Sequence, residues 1–360
     1  MGTFSDAAGR IGPLDQAAAA ETARHHDRLT KPKGSLGRLE SLGVQLAGIC
    51  GSCPPSVPSP AAVAVFAGDH GVLSEGVSPW PQEVTAQMVA NFCSGGAAIN
   101  VLARHCGAEV VVVDVGVASD IPVPDGAELI SAKVRRGTRN FLVEDAMTKD
   151  EAIEALDVGA SVAGTLVSKG MRALVTGDMG IGNTTPSAAL IAVVTGRPPE
   201  EVAGRGTGIN DADLAHKIEV IARGIERAKR ESGDDPLSLL ASLGGFEIAA
   251  LAGFVAGGAA ARVPVLIDGV IAAAGALVAS LLAPGCVDYC IAGHRSTEPG
   301  SSIALDHLGL DPVVDLELRL GEGTGACLAL PVLQAAAKIS QEMATFDSAG
   351  VSEKAGTLDH

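Results

Sequence analysis

Four glycine-rich segments set polar or ionisable side chains where a backbone can come close to a ligand. In Leu320-Gly-Glu-Gly-Thr-Gly-Ala326, Glu322 stands between two glycines. Flanking glycines leave a carboxylate open to a flat ligand and let it occupy a tight, partly dry pocket. Desolvation there raises its pKa toward that of a useful base. The same residues also fit a helix start with Gly and Thr as caps. Gly177-Asp-Met-Gly-Ile-Gly-Asn-Thr-Thr-Pro-Ser187 follows an apolar run and leads into a helical stretch. Its glycines allow close backbone approach, and Asn183, Thr184 and Thr185 add polar groups beside free helix N–H groups, a combination suited to phosphate. A capped turn with Pro186 in the first helical turn fits equally well. It is neither Gly-x-x-x-x-Gly-Lys-Ser/Thr nor Gly-x-Gly-x-x-Gly, which speaks against a dinucleotide-dependent oxidoreductase. Gly204-Arg-Gly-Thr-Gly-Ile-Asn210 is a third such loop, followed by Lys217, either a phosphate-binding point charge or an ordinary surface lysine. In the fourth, Gly293-His-Arg-Ser-Thr-Glu-Pro-Gly300, Ser296 and Thr297 can donate to phosphate oxygens. His294 there is either an acid–base group or a structural donor.

These segments share a context. Ala61–Ala67, Glu109–Val117, Arg172–Thr176, Val263–Ile267 and Val287–Ala292 are short apolar runs, most of them ending in Gly beside an acid or His. Helical stretches such as Pro81–Arg104, Lys149–Lys169 and Pro236–Ala261 alternate with them. Apolar strands alternating with helices predict a parallel sheet covered on both faces. Ligands of such sheets bind beyond the carboxyl ends of the strands, so these tips predict one crevice. Two N-terminal helical stretches, Leu14–Leu29 and Leu36–Ile49, precede a linker with four prolines, Cys53–Pro60. With Leu328–Phe346 they predict a small helical domain built from both chain ends. The boundaries expected are 1–58, 59–327 and 328–360, with a polar tail fraying from about Ser348.

Composition limits the partners. Hydrophobic residues make up 47% of the 360 but aromatics only 2%, so the core must be Ala, Val, Leu and Ile, with 45 glycines for close packing. A net charge of −16 argues against nucleic acid or an anionic membrane as a general partner. Gly269–Val287 carries no charged residue but contains Pro284, and fits a buried helix better than a membrane span. Seven cysteines do not form a disulfide framework. Cys50, Cys53, Cys286 and Cys290 number enough for a zinc site, yet their apolar or loop settings suit reduced, buried thiols better, and no metal is expected. No N-terminal signal pattern is visible, so a cytoplasmic location is expected.

Seven stretches together resemble one family. They are Lys31-Pro-Lys-Gly-Ser-Leu-Gly-Arg-Leu-Glu40, Ala67-Gly-Asp-His-Gly-Val72, Gly95-Gly-Ala-Ala-Ile-Asn-Val-Leu-Ala103, Asp114-Val-Gly-Val117, Gly180-Ile-Gly-Asn-Thr-Thr-Pro186, Val263-Pro-Val-Leu-Ile-Asp-Gly269 and the Glu322 segment. In this order, over roughly residues 14 to 340, they resemble nicotinate-nucleotide–dimethylbenzimidazole phosphoribosyltransferases. The resemblance implies transfer of phosphoribose from nicotinate mononucleotide to 5,6-dimethylbenzimidazole, a Rossmann-like large domain beside the small helical one, a homodimer, and no cofactor. It implies Glu322 as the base, with Asp178 a weaker partner. It carries the phosphate and ribose site onto Gly180, Asn183, Thr184, Thr185, Gly206, Lys217 and Ser296. The benzimidazole pocket falls on Trp80, Gln82, Gln87, Met88 and Leu320. Many members have Glu at the position of Asp178, and some have Ser and Gln at those of Trp80 and Met88. The second azole nitrogen would then be met by Gln82, Gln87 or water, with adenine and other benzimidazoles as alternative acceptors.

Overall fold

The computed structural model describes residues 2–123, 126–206, 208–233 and 235–352. They fall into two compact units: those within 2–12 and 59–330, and those within 13–58 and 331–352.

In the larger unit six strands lie in the order β3-β2-β1-β4-β5-β6. They are β1 (Ala61–Gly68), β2 (Ala108–Gly116), β3 (Ile130–Ser131), β4 (Ala173–Met179), β5 (Val265–Ile267) and β6 (Cys290–Ala292). All neighbours pair in parallel, with Phe66 of β1 opposite both Val113 and Asp178. The chain winds outward from β1 to β3, then returns to build β4 to β6 on the other side. The winding therefore reverses between β1 and β4, and a crevice opens at their carboxyl ends. β1 is buried along its whole length, which explains its unbroken Ala, Val and Phe run.

Close helix packing covers the sheet. The helices Lys149–Ser168 and Phe246–Ala260 touch backbone to backbone: a Cβ on Gly159 would lie 1.8 Å from the Ala250 carbonyl oxygen, and one on Gly253 would lie 1.9 Å from that of Leu156. Phe66 meets Phe254 edge to face beneath them. The uncharged stretch after Asp268 forms the buried helix Val270–Leu282. Among the described residues no helix is long and apolar enough to cross a membrane.

Two expected helices are each divided by paired glycines. Pro81–Arg104 becomes Glu83–Cys93 and Ala98–Cys106, separated at Gly95 and Gly96, and Pro236–Ala261 breaks at Gly244 and Gly245. The first break matters to the site, because it creates a helix N-terminus at Ala98.

The smaller unit contains the helices Gln16–Arg28 and Arg38–Cys50, together with the part of Thr324–Glu342 from Pro331 on. Asp15 caps the first by accepting from the Ala18 N–H, and Lys31 pairs with Glu40 at 2.8 Å. His25 Nε2 lies 2.9 Å from the Ser340 carbonyl oxygen. The short helix Thr3–Ala8 instead belongs to the larger unit, apart from the helices with which the sequence reading grouped it. Its Phe4 N–H donates to Asp157 there, and Gly12 accepts from the Tyr289 hydroxyl. Phe346–Ala349 is a short capped turn of helix, and the tail after Ser352 lies outside the described residues.

Candidate active site

A cavity of about 330 Å³ opens at the carboxyl ends of the strands. It is lined by Trp80, Val84 and Met88, by Asp178 to Ile181 with Asn183 and Thr184, by Gly206, and by Gly269 to Ile271. His294, Ser296, Glu298 and Arg319 to Glu322 complete it. Of the residues singled out above, Glu322, Asp178, Gly180, Asn183, Thr184, Gly206, Ser296, Trp80, Met88 and Leu320 therefore share one space.

Glu322 sits in the backbone turn that precedes the helix Thr324–Glu342. Its φ is +63°, between Gly321 at +81° and Gly323 at +91°. A left-handed non-glycine residue is strained and persists only where its surroundings enforce it. Two contacts do so here. A Cβ on Gly177 of β4 would lie 2.7 Å from the Glu322 carbonyl oxygen, so the turn rests directly on the strand. Asp268, just past β5, accepts from the N–H groups of Gly323 at 3.1 Å and Ala326 at 2.9 Å. The Glu322 side chain is only 5% exposed, and its Oε2 accepts from the Ile99 N–H at 3.2 Å, in the first turn of Ala98–Cys106. Burial raises its pKa, the Ile99 N–H opposes that, and the charge of Asp268 adds to it.

Asp178 is buried on β4, with Oδ2 accepting from the Asn183 amide at 3.0 Å. Burial, then the charge of Asp268, pushes its carboxyl well above the usual range. Asn183 opposes this, while Glu247 and Glu322 add to it. Asp178 thus holds its proton more tightly than a solvated carboxyl does.

The glycine loop after β4 packs onto the tip of β1. A Cβ on Gly180 would lie 2.3 Å from the Gly68 carbonyl oxygen. Beside it, Lys217 is 1% exposed and donates to Thr184 Oγ1 at 2.8 Å and to the Gly204 carbonyl at 3.1 Å. Burial brings its pKa down to about 8, with Glu298 acting against the fall. Lys217 lines not the main cavity but a small recess of about 40 Å³, with Gly180 to Thr184, Arg205 and Gly206. Gly206 has φ +52°; its N–H donates to Glu298 at 2.8 Å, and its carbonyl accepts from Arg319 at 2.7 Å. Thr207 in the same loop lies outside the described residues.

Three expected residues stay out of both spaces. Thr185, one position past Thr184, turns into the core. Val84 and Met88, four residues apart on one helix face, reach the cavity, while Gln87 is exposed. Gln82 is half-buried and lines neither space. At the rim, Trp80 and Leu320 are 49% and 58% exposed. Sequence reasoning missed Glu298 and Arg319. Pro299 at the first helical position after Ser296 was the usable signal for Glu298, since it sets residues 296–298 at a helix start beside a strand tip. Among the described residues no group of three or more His, Cys, Asp or Glu could hold a metal ion.

Comparison with known proteins matches this architecture. A family model described as Phosphoribosyltransferase covers residues 11–351. The nicotinate-nucleotide–dimethylbenzimidazole phosphoribosyltransferase of Salinispora tropica is 55% identical over 356 residues, 96% of this chain and 98% of that one. The enzyme of the same name from Chloroflexus aggregans is 53% identical over 354 residues, 98% of this chain and 99% of that one. The crystal structure of such an enzyme from Thermus thermophilus superposes with a TM-score of 0.89 at 46% identity, covering 95% of this chain and all of that one (100%). With its motifs, sheet order and cavity carried on one continuous match, the chain belongs to the nicotinate-nucleotide–dimethylbenzimidazole phosphoribosyltransferase family.

Proposed function

We propose that this chain transfers the 5-phosphoribosyl group of nicotinate mononucleotide to 5,6-dimethylbenzimidazole, giving α-ribazole 5′-phosphate and nicotinate. The observation that carries the reading is Glu322, a buried carboxylate of raised pKa held by a strained turn against a cavity that also contains the phosphate loop.

The chemistry asks little more. The leaving group is a cationic pyridinium, so the C1′–N bond breaks without a general acid. The bond electrons return to the ring and nicotinate departs. A benzimidazole nitrogen attacks C1′ from the opposite face, which inverts that carbon and accounts for an α product. The other azole nitrogen must lose its N–H proton, and Glu322 takes it. Asp178, its carboxyl raised by burial and by the charge of Asp268, stands nearby as a weaker partner. Gly180, Asn183, Thr184, Gly206 and Ser296 form the phosphate and ribose end, with Lys217 behind Thr184 as the positive charge. Trp80, Val84, Met88 and Leu320 give the flat acceptor an apolar slot. Holding two rings and a ribose in line supplies much of the remaining rate.

Seven thiols outside any disulfide favour a reducing, cytoplasmic setting. A homodimer is part of the proposal, and the mass in solution tests it. The activity is tested by mixing purified protein with nicotinate mononucleotide and dimethylbenzimidazole and following nicotinate. Release that depends on the benzimidazole is expected. Binding of both compounds without release would make the chain a binding protein instead.

A further inference from the structure

Asp268 touches the Glu322 turn at two points, and no step of the transfer described above uses it. It is fully buried at the tip of β5, where its two carboxylate oxygens take separate backbone N–H groups. Oδ2 accepts from Gly323 and Oδ1 from Ala326, the residues one and four beyond Glu322. Its own N–H donates to Thr176 Oγ1 at 3.0 Å, and that hydroxyl donates to the Leu266 carbonyl at 2.9 Å, so Asp268 is itself fixed by β4 and β5. We propose that Asp268 is a positioning residue for the reaction: it clamps the left-handed turn that aims Glu322 and sets a second buried carboxylate beside that base.

Two physical demands support both halves. Three successive residues of positive φ, one of them not glycine, form a turn that relaxes unless something fixes it, and the Asp268 clamp spans the turn's exit into the helix. Glu322 also meets the N-terminus of Ala98–Cys106 through Ile99, and such a donor favours the ionised, weakly basic form. A second negative charge nearby works against that loss. The charge of Asp268 raises both Glu322 and Asp178. The other ionisable groups facing Asp268 are His294, whose Nε2 lies 3.5 Å from Oδ1, and Cys327 on the helix that follows the turn. His294 and Asp178 line the same cavity as Glu322, as do Glu298 and Arg319.

This inference rests on the phosphoribosyl-transfer reading, and its test separates the two. Nicotinate release by the parent protein decides that reading. Given release, Asp268→Asn is compared with the parent in kcat, in KM for nicotinate mononucleotide, and in the pH profile of kcat. Asparagine keeps the shape but loses the charge and one acceptor. Expected are a fall in kcat of at least about 10-fold, a KM within about 3-fold of the parent, and an acidic limb of kcat displaced to lower pH. Thr176→Val leaves the charge in place and loosens its anchor, so kcat should fall with the limb unmoved. This variant also carries the test if Asp268→Asn does not fold. An Asp268→Asn enzyme with an unmoved acidic limb would overturn the electrostatic half. Parent-like kcat in Thr176→Val, or a loss confined to KM, would overturn the positioning half.

Discussion

A carboxylate that removes an azole proton near neutral pH must be more basic than a solvated one and must still be ionised often enough to act. Glu322 meets both conditions through opposing contacts: burial and Asp268 raise its pKa, and the Ile99 N–H restrains the rise. Glu322→Gln keeps the hydrogen bond to Ile99 but cannot take the proton. It should lower kcat about 10²- to 10⁴-fold, with nicotinate mononucleotide affinity, measured by calorimetry, nearly unchanged. Lys217 works at the other end of the substrate. Its replacement by Ala should weaken mononucleotide binding about 10- to 100-fold, the loss of a hydrogen bond to a charged group. With a free-enzyme pKa of about 8, Lys217 loses its charge as pH rises through that value. The affinity of the parent should therefore decline above pH 8, and that of Lys217→Ala should not follow it. Locally, Glu322 and Lys217 were ambiguous in the sequence: each fits an ordinary cap or surface position, and only the ordered motifs around them tipped the reading. The motif around Asp268 and the Pro299 signal beside Glu298 did not show their partners, Gly323 and Gly206, which lie 55 and 92 residues away, and Arg319 carried no signal at all, its partner being 113 residues away.

The elements that hold these residues depend on glycine at particular contacts. Gly177 lets the Glu322 turn lie on β4, and Gly159 and Gly253 let two long helices meet at backbone distance. Gly159→Ala must push those helices apart. It should destabilise the protein by about 1–3 kcal/mol, read as a lower urea midpoint, with the cavity residues themselves untouched. The strand tips were legible because apolar runs ending in Gly with an acid or His recur at β1, β2, β4, β5 and β6. The two-residue strand β3 was not, since Ile130–Ser131 has no periodicity to recognise. Double glycines inside otherwise helical patterns were passed over. At Gly95–Gly96 the omission hid the helix N-terminus that Glu322 meets, which is the part of the site least visible in the sequence.

Across the whole molecule, an acidic chain gathers still more acid where its sheet strands end. Asp69, Asp178, Asp268 and Glu322 are all raised above the ordinary carboxylate range, burial being the largest cause in each. Raised carboxyls bind protons more tightly in the folded state. Their stabilising contribution is therefore complete below the ordinary carboxylate pKa and is lost as pH rises through the raised values. Glu40, Asp145 and Glu151 are depressed and behave oppositely, losing their contribution as pH falls. Asp178→Asn, which removes the raised carboxyl and its titration, should unfold at a higher midpoint than the parent at about pH 8, with the difference shrinking toward about pH 5. A midpoint difference independent of pH would place the Asp178 effect in packing instead. The most direct test of Glu322 as the base is nicotinate release, measured side by side for the parent and Glu322→Gln at saturating nicotinate mononucleotide and dimethylbenzimidazole. Benzimidazole-dependent release by the parent, reduced at least about 100-fold in the variant, is the predicted result. Equal turnover by the two proteins, or no release by either, would contradict it.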